Sequence, residues 1–272
     1  MDLSIIIVNY NSRDLLRACV QSIMAGDVVE KIEIVVVDND SKDGSVALVL
    51  EEFPGVRVIE NEENIGFAGA VNKGLREAAG NYILVLNPDI EASVDSIDTL
   101  RSYMEAHEDV ALCAPKLVNP DGTLQYSCRT DYTFAILLYR RTVLGRLFPD
   151  HTAIRRHLMM DWDHADAREV DWVLGAAFMM RRGSVAASQG MDERFFLYFE
   201  DVDLCMRLRR SGWKVVYVPD AVMVHHHQRA SARGMINRAK IEHLKSWLKF
   251  EWKHRGEPLV RSVMTRRPAK IG

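Results

Sequence analysis

The 272-residue sequence predicts an α/β fold, a mostly parallel central sheet flanked by helices with a C-terminal helical extension. Three observations predict it. Strand-like runs in the first 115 residues are rich in β-branched residues, and several are continuously apolar, as parallel strands buried on both faces require. Helical segments fall between these runs, the alternation expected of βαβ units. Polar clusters follow the strand runs, at the carboxyl ends where such sheets bind ligands.

In chain order, the strand runs are "LSIIIV" (3–8), "IEIVVVD" (32–38), "VRVIE" (56–60), "YILVLN" (82–87) and "VALCAP" (110–115). Helices are expected near 13–24, 43–53, 68–79 and 93–107. Next comes "NPDGT" (119–123), a turn signal between short strands. Residues 129–160 mix basic and apolar residues and predict an irregular or mobile segment. Strand-like composition returns in "VDWVLGAAFMMRR" (170–182), "KVVYVP" (214–219) and "AVMVHHH" (221–227). The chain closes on a helix-like segment from Met235. The expected organisation is one domain over 1–232, changing character near 115/116, then a basic helical extension over 233–272.

Composition is that of an ordinary soluble protein, with 48% hydrophobic and 27% charged residues. The net charge of −3 gives no sign of a nucleic-acid partner. The four cysteines, Cys19, Cys113, Cys128 and Cys205, show no CxxC spacing and read as small buried hydrophobes. The start, "MDLSIIIVNYN", lacks the basic residues and long apolar run of a signal peptide, and no segment approaches the length of a membrane span. A cytoplasmic protein is expected.

The strand ends carry the candidate chemistry. "GFAGAVNKG" has neither the GxGxxG spacing nor the Lys-Ser/Thr ending that would announce a dinucleotide fold or a P-loop. Asp38 ends a buried strand, where a carboxylate can accept from a base N–H or a ribose hydroxyl; Asp40, Ser41 and Asp43 read as caps. Asp89, in "LNPDI", has two readings. It is a ligand of a hard cation whose other oxygens come from a diphosphate, or the third residue of a type I turn. At most two of His225, His226 and His227 can face one site from a strand, and each also reads as a satisfied or solvated histidine. In "FFLYFEDVDLCMRLRRSGW" (195–213) acids precede arginines, the charge order of a well-capped helix. Asp203 there suits a pair with Arg207.

Together these stretches resemble glycosyltransferase family 2, and within it the rhamnosyltransferase-like branch. The parts come in the family's order: "SIIIVNYNSRDLL", "VVVDNDSKDGS", "NIGFAGAVNKGL", "LVLNPDI", "PKLVNPDGTLQ", "VDWVLGAAFMMRR", "DERFFLYFEDVDLCMRLRRSGW" and "PDAVMVHH". The resemblance implies a Rossmann-like GT-A fold that holds a nucleotide-diphosphate sugar and Mg²⁺ or Mn²⁺, with a nucleotide-binding half over about 1–115 and an acceptor-binding half over about 116–232. Asp38 would hold the base with Asn9, Asn11 and Asn39 nearby; Asn64, Gly66, Asn72 and Asn87 would line the nucleotide pocket. Asp89 stands alone where the family's metal motif has two aspartates, and His225 would be the second protein ligand. Trp172, Gly175 and Ala176 would lie beside donor and acceptor. Asp201 would be the general base of an inverting transfer, kept ionised by the helix start, with Glu200 beside it. The aromatic run Phe195, Phe196, Tyr198 and Phe199 would give a dry wall for a sugar ring.

The branch suggests dTDP-rhamnose as donor, with UDP-hexose and UDP-galactofuranose enzymes sharing these motifs, and a glycan or lipid-linked acceptor. The rival readings are a sugar nucleotidyltransferase, for which "NYNSRDLL" lacks the glycines, a two-carboxylate glycosidase and a non-catalytic homologue. From Met235 on, ten Lys/Arg face three Glu, a surplus of seven positive charges. Ile241, Leu244, Trp247 and Leu248 recur there at helical spacing. The stretch 235–255 reads as a helix packed on the domain, as a subunit contact of a homo-oligomer, or as a basic amphipathic helix on the inner membrane face.

Overall fold

The computed structural model describes residues 2–26, 32–132, 136, 151–226 and 238–255. In chain order the strands are β1 (Leu3–Asn9), β2 (Ile32–Asp38), β3 (Arg57–Glu60), β4 (Tyr82–Leu86), β5 (Ile90–Glu91), β6 (Val110–Val118), β7 (Cys128–Arg129), β8 (Arg168–Glu169), β9 (Trp172–Val173), β10 (Ala177–Arg181) and β11 (Lys214–His225). The helices are α1 (Arg13–Met24), α2 (Ser45–Glu52), α3 (Gly66–Glu77), α4 (Val94–Ala106), α5 (Thr152–His157), α6 (Arg182–Ser188), α7 (Glu200–Arg210) and α8 (Arg238–Lys253). The main sheet runs β3-β2-β1-β4-β10-β6-β11-β5, with β8 on the flank of β11. The predicted α/β architecture is the observed one.

The first four strands pair in parallel, β1 in the middle with Asn9 opposite Asp38. The apolar strand runs supply two cores because side chains alternate faces. Ile6 and Val8 point into one, with Val35, Val37 and Ala68; Ile5 and Ile7 point into the other, with Leu16 and Leu100. The second half departs from simple alternation. β10 wedges antiparallel between β4 and β6, and β11 runs parallel to β6. The stretches 214–219 and 221–227, read separately in the sequence, are one strand to His225, with a register shift between Val218 and Val222 that bends it. The single strand-like run at 170–182 is broken at Leu174–Ala176 into β9 and β10.

Most of the segment expected to be irregular lies outside the described residues, as does His227; α5 is the helix found in the described part. All four cysteines are free and buried, and burial raises each thiol above its usual range. Among the described residues no helix is long and apolar enough to cross a membrane.

Candidate functional site

The carboxyl ends of β1 and β2 form the first part of the site. Asp38 is buried there. One of its oxygens accepts from Asn9 Nδ2 at 2.8 Å and the other from the Ser41 N–H at 2.8 Å. Ser41 Oγ also accepts from Asn9 Nδ2 and from the Asn11 N–H, while Asn11 Oδ1 accepts from the Lys42 N–H, so the two loops lock face to face. Asn9 Oδ1 is buried with no hydrogen-bond partner among the described residues. Each Asp38 oxygen keeps a second lone pair, so the carboxylate can still accept from a ligand. Asp43 is a cap, accepting from the N–H groups of Arg13 and Ser45 at the starts of α1 and α2.

The next predicted residues hold the chain together. Asn39 donates to Gly66 O at 3.2 Å and accepts from Asn61 Nδ2 at 2.8 Å. Asn64 Oδ1 accepts the Gly66 N–H, turning the chain into α3. Gly66 has φ +81°, and a Cβ there would lie 2.5 Å from the carbonyl oxygen of Phe196, so only glycine fits this crossing. Asn72 brackets the turn before the acidic stretch. Its amide donates to Met191 O at 2.8 Å and its oxygen accepts the Met191 N–H at 2.8 Å. Gly66 and Asn72 thus join α3 to the 190–196 segment.

At the end of β4, Asn87 O accepts from the Ile90 N–H at 3.3 Å, so the turn reading of "NPDI" holds. The turn also aims Asp89 at β11, where His226 N donates to Asp89 O at 2.9 Å and His225 Nε2 lies 3.5 Å from Asp89 Oδ1. His226 points elsewhere, with its Nε2 2.7 Å from Glu91. Gln125, not singled out in the sequence, sets the ring of His225. Its amide nitrogen donates to Asn119 Oδ1 at 2.7 Å and to His225 O at 2.9 Å. Its oxygen must therefore face His225 Nδ1, 2.7 Å away, which donates to it. That leaves the Nε2 lone pair towards Asp89.

The separation of 3.5 Å is too long for a hydrogen bond. It is close to the ~3 Å between adjacent ligands of an octahedral cation with bonds of ~2.1 Å. The donor set, one carboxylate oxygen and one imidazole nitrogen, thus fits a divalent cation. Among the described residues no cluster of three His, Cys, Asp or Glu could hold one alone.

The base candidate begins α7. Asp201 Oδ2 accepts the Gly175 N–H at 3.0 Å and Oδ1 accepts the Val202 N–H at 2.8 Å. Neighbouring Ala176 O accepts the Asn87 N–H at 2.8 Å. The three-residue break between β9 and β10 thus ties Asp201 to the turn that carries Asp89. The helix start alone does not set the charge of Asp201. Burial pushes its carboxyl up to about 6, against the two backbone N–H groups. Burial and the neighbouring Asp201 raise Glu200 well above the carboxylate range, and its Oε2 is buried with no hydrogen-bond partner among the described residues. No cation of the described residues forms an ion pair with either acid.

Trp172 is buried, its indole donating to Thr130 O at 3.0 Å and stacking on Tyr132. Beside it, Arg209 binds Asp171 at 2.7 Å and Asp131 at 2.7 Å, a closed ion-pair cluster. The aromatic run divides: Phe195 and Phe199 are buried against Phe250 of α8, so only Phe196 and Tyr198 stay half-buried near the surface.

Comparison with known proteins settles the family. Residues 4–162 match the model of "Glycosyl transferase family 2". The chain belongs to this family. It is an enzyme of nucleotide-sugar glycosyl transfer. An N-acetylglucosaminyl-diphospho-decaprenol L-rhamnosyltransferase of Mycobacterium tuberculosis is 30% identical over 239 residues, covering 83% of this chain and 76% of that protein. The rhamnosyltransferase WbbL of Escherichia coli K12 is 26% identical over 265 residues, covering 90% of this chain and 91% of WbbL. Among solved structures, a Pyrobaculum calidifontis mannosyltransferase in complex with GDP-Man and Mn²⁺ superposes with TM-score 0.59 at 19% identity over 84% of this chain and 57% of its own. GalNAc-T7 with UDP, GalNAc and Mn²⁺ gives TM-score 0.68 at 17% identity over 93% and 48%. These two likenesses establish the shared fold.

Proposed function

We propose that the enzyme transfers rhamnose, with inversion, from dTDP-rhamnose to a hydroxyl of a glycan carried on a lipid diphosphate. The rhamnosyl donor and lipid-linked acceptor are argued from the names of the two rhamnosyltransferase relatives. Asp38, with Asn9, Asn11 and Asn39, holds the base and ribose. Asn64, Gly66, Asn72 and Asn87 shape the pocket, Gly66 and Asn72 by fixing α3 against the segment before α7. Asp89 and His225 are the residues that would hold Mg²⁺ or Mn²⁺. When bound, the cation neutralises charge on the departing diphosphate.

The observation that carries the mechanism is the Gly175-Ala176 link, which places Asp201 beside the turn of Asp89. Asp201 takes the proton from the acceptor hydroxyl as that oxygen bonds to the anomeric carbon. The bond from that carbon to the diphosphate oxygen breaks, and the nucleoside diphosphate leaves with the electron pair. Raised to about 6, the carboxyl of Asp201 is ionised near neutrality yet basic enough to accept that proton. Burial, with the charge of Asp201 adding to it, raises Glu200 well above the carboxylate range and so disfavours a second negative charge beside the base.

Titration calorimetry with dTDP and UDP, with and without Mn²⁺, tests the donor side; no binding of either nucleotide in the presence of metal would refute the reading. A panel of nucleotide sugars with donor hydrolysis as readout decides the sugar. Turnover of UDP-hexose or UDP-galactofuranose in preference to dTDP-rhamnose would replace the rhamnosyl assignment.

A further inference from the structure

The C-terminal helix has two faces with different partners. Its inner side holds the segment that leads into the base. Ser246 Oγ donates to Leu197 O at 2.9 Å and Lys249 Nζ to Arg194 O at 2.7 Å. Lys253 Nζ lies 2.7 Å from Asp192 and 2.6 Å from Asp203, and His254 Nε2 2.8 Å from Asp203. The rings of His243 and Phe250 pack on Phe199 at 5.2 and 5.3 Å. These contacts hold an unusual backbone: Tyr198 and Phe199 lie at φ +69° and +70°, the left-handed region side chains avoid unless their surroundings enforce it.

The outer side is apolar and exposed. Ile241, Leu244, Leu248 and Trp252 are 45, 47, 54 and 73% accessible, and they are four of the seven exposed large hydrophobics among the described residues. At about 100° per residue they form one stripe down the helix, opposite Ser246 and Phe250. Exposed Lys245 and Lys249 run along one edge of the stripe, exposed Glu251 lies on the other edge, and exposed Arg255 follows at the end of the helix. Between Arg238 and Arg255 the chain carries six Lys/Arg against two Glu, while residues 1–234 carry a net charge of −10.

We infer that this outer face seats the enzyme on an anionic lipid bilayer, holding the base-bearing turn at the membrane surface. An apolar stripe with a lysine edge, on a helix of net positive charge, is the pattern of a helix lying in a headgroup layer. The charge segregation orients the molecule: the bilayer attracts α8 and repels the rest of the surface. A second copy is the poorer fit, since a two-fold contact would set α8 against α8 and bring like charges together. The inference extends the proposed lipid-linked acceptor, whose hydroxyl would be met at the bilayer by the turn that α8 braces.

Co-sedimentation of the full chain with phosphatidylglycerol–phosphatidylcholine vesicles tests it. Binding should be strong at low salt, weak at high salt and absent on pure phosphatidylcholine vesicles. Leu248→Glu/Trp252→Glu, on the solvent face, should abolish it while leaving nucleotide affinity unchanged. Lys245→Glu should weaken partitioning about fivefold or more. Absence of binding, equal binding to both vesicle types, or undiminished binding by the double variant would overturn the inference. So would a dimer, seen by light scattering, that the double variant dissolves. Nucleotide titration of the wild-type protein separates the two readings: its failure would remove the donor assignment and leave the vesicle result standing.

Discussion

Two sets of acids on α7, one turn apart, have opposite environments. Asp203 is fully buried and touches two cationic side chains, Arg207 at 2.7 Å and Lys253 at 2.6 Å, and accepts from His254 Nε2 at 2.8 Å. Burial alone would raise its carboxyl, but His254, Arg207 and Lys253 hold it below the usual range. Glu200 is also buried and Asp201 half-buried, and neither forms an ion pair with any described residue; Asp201 accepts two backbone N–H groups. Burial therefore wins and raises both. The same helix start serves all three, so the helix dipole does not separate them. The presence or absence of cations does: a paired carboxylate is structural, and an unpaired one is kept able to take a proton.

The largest effect should come from Asp201→Asn, which keeps a backbone acceptor and removes the base. Transfer should fall by ~10²–10⁴-fold while nucleotide affinity, by calorimetry, is unchanged. Unchanged turnover would break the contrast at its centre. In the wild type, turnover should rise about tenfold per pH unit up to a pH of about 6 and be level above it.

Asp203→Ala should act on stability instead. Removing the shared carboxylate leaves Arg207 with carbonyl partners only and Lys253 with Asp192 alone, which costs about 3 kcal/mol. The melting temperature should drop by roughly 5–10 °C with turnover retained well below it. The two acids also oppose each other in pH dependence. The folded value of Asp203 lies below its unfolded one, so its stabilisation is complete above pH ~4 and is lost as pH falls further. The folded value of Asp201 lies above its unfolded one, so ionising it costs stability as pH rises from ~4 towards 6. Thermal scans should show the Asp203→Ala deficit shrinking as pH falls below ~4 and Asp201→Asn gaining on the wild type as pH rises from ~4 towards 6.

The histidines repeat the contrast: His254 is part of the ion-pair cluster, while His225 is turned by Gln125 towards Asp89. Gln125→Ala frees the imidazole to rotate and change tautomer. Mn²⁺ affinity, measured by paramagnetic resonance, should fall ~10–100-fold, with metal-free nucleotide binding unaffected. Unaltered Mn²⁺ affinity would show that Gln125 serves the fold alone.

How much of this was legible in the sequence depends on the range of the contacts. The span of α1 was read without error, and the β-branched strand runs of the first half gave the parallel strands, because apolar patterns are local. The Asp203–Arg207 pair was legible too, being four residues apart on one helix face. The break at Leu174–Ala176 was not, since its reason lies in hydrogen bonds to Asn87 and Asp201 from distant elements. Gln125 and His225 are 100 residues apart, and the two residues of the Asn72–Met191 bracket 119. Neither leaves a local pattern. The charge order of α7 was visible, but Lys253 and His254, the partners that Asp203 gains beyond Arg207, come from the end of α8 across the fold.

The smallest expected effect is the most specific. Glu200 sits beside the base, and burial is the first cause that raises its carboxyl, with the charge of Asp201 adding to it. A neutral carboxyl and a neutral amide have nearly the same shape, so Glu200→Gln replaces a group by its uncharged equivalent. If Glu200 is neutral throughout the working range, the pH–rate profile of the variant should overlay that of the wild type. Any loss of turnover should stay within about threefold, as for a swap that removes no charge. A Glu200 that ionised near neutrality would repel the charge on Asp201 and hold the base's apparent value up. Replacing it by glutamine would then move the acid limb of the profile to lower pH. A displaced limb would mean that the two acids titrate as a pair and that burial does not divide their roles.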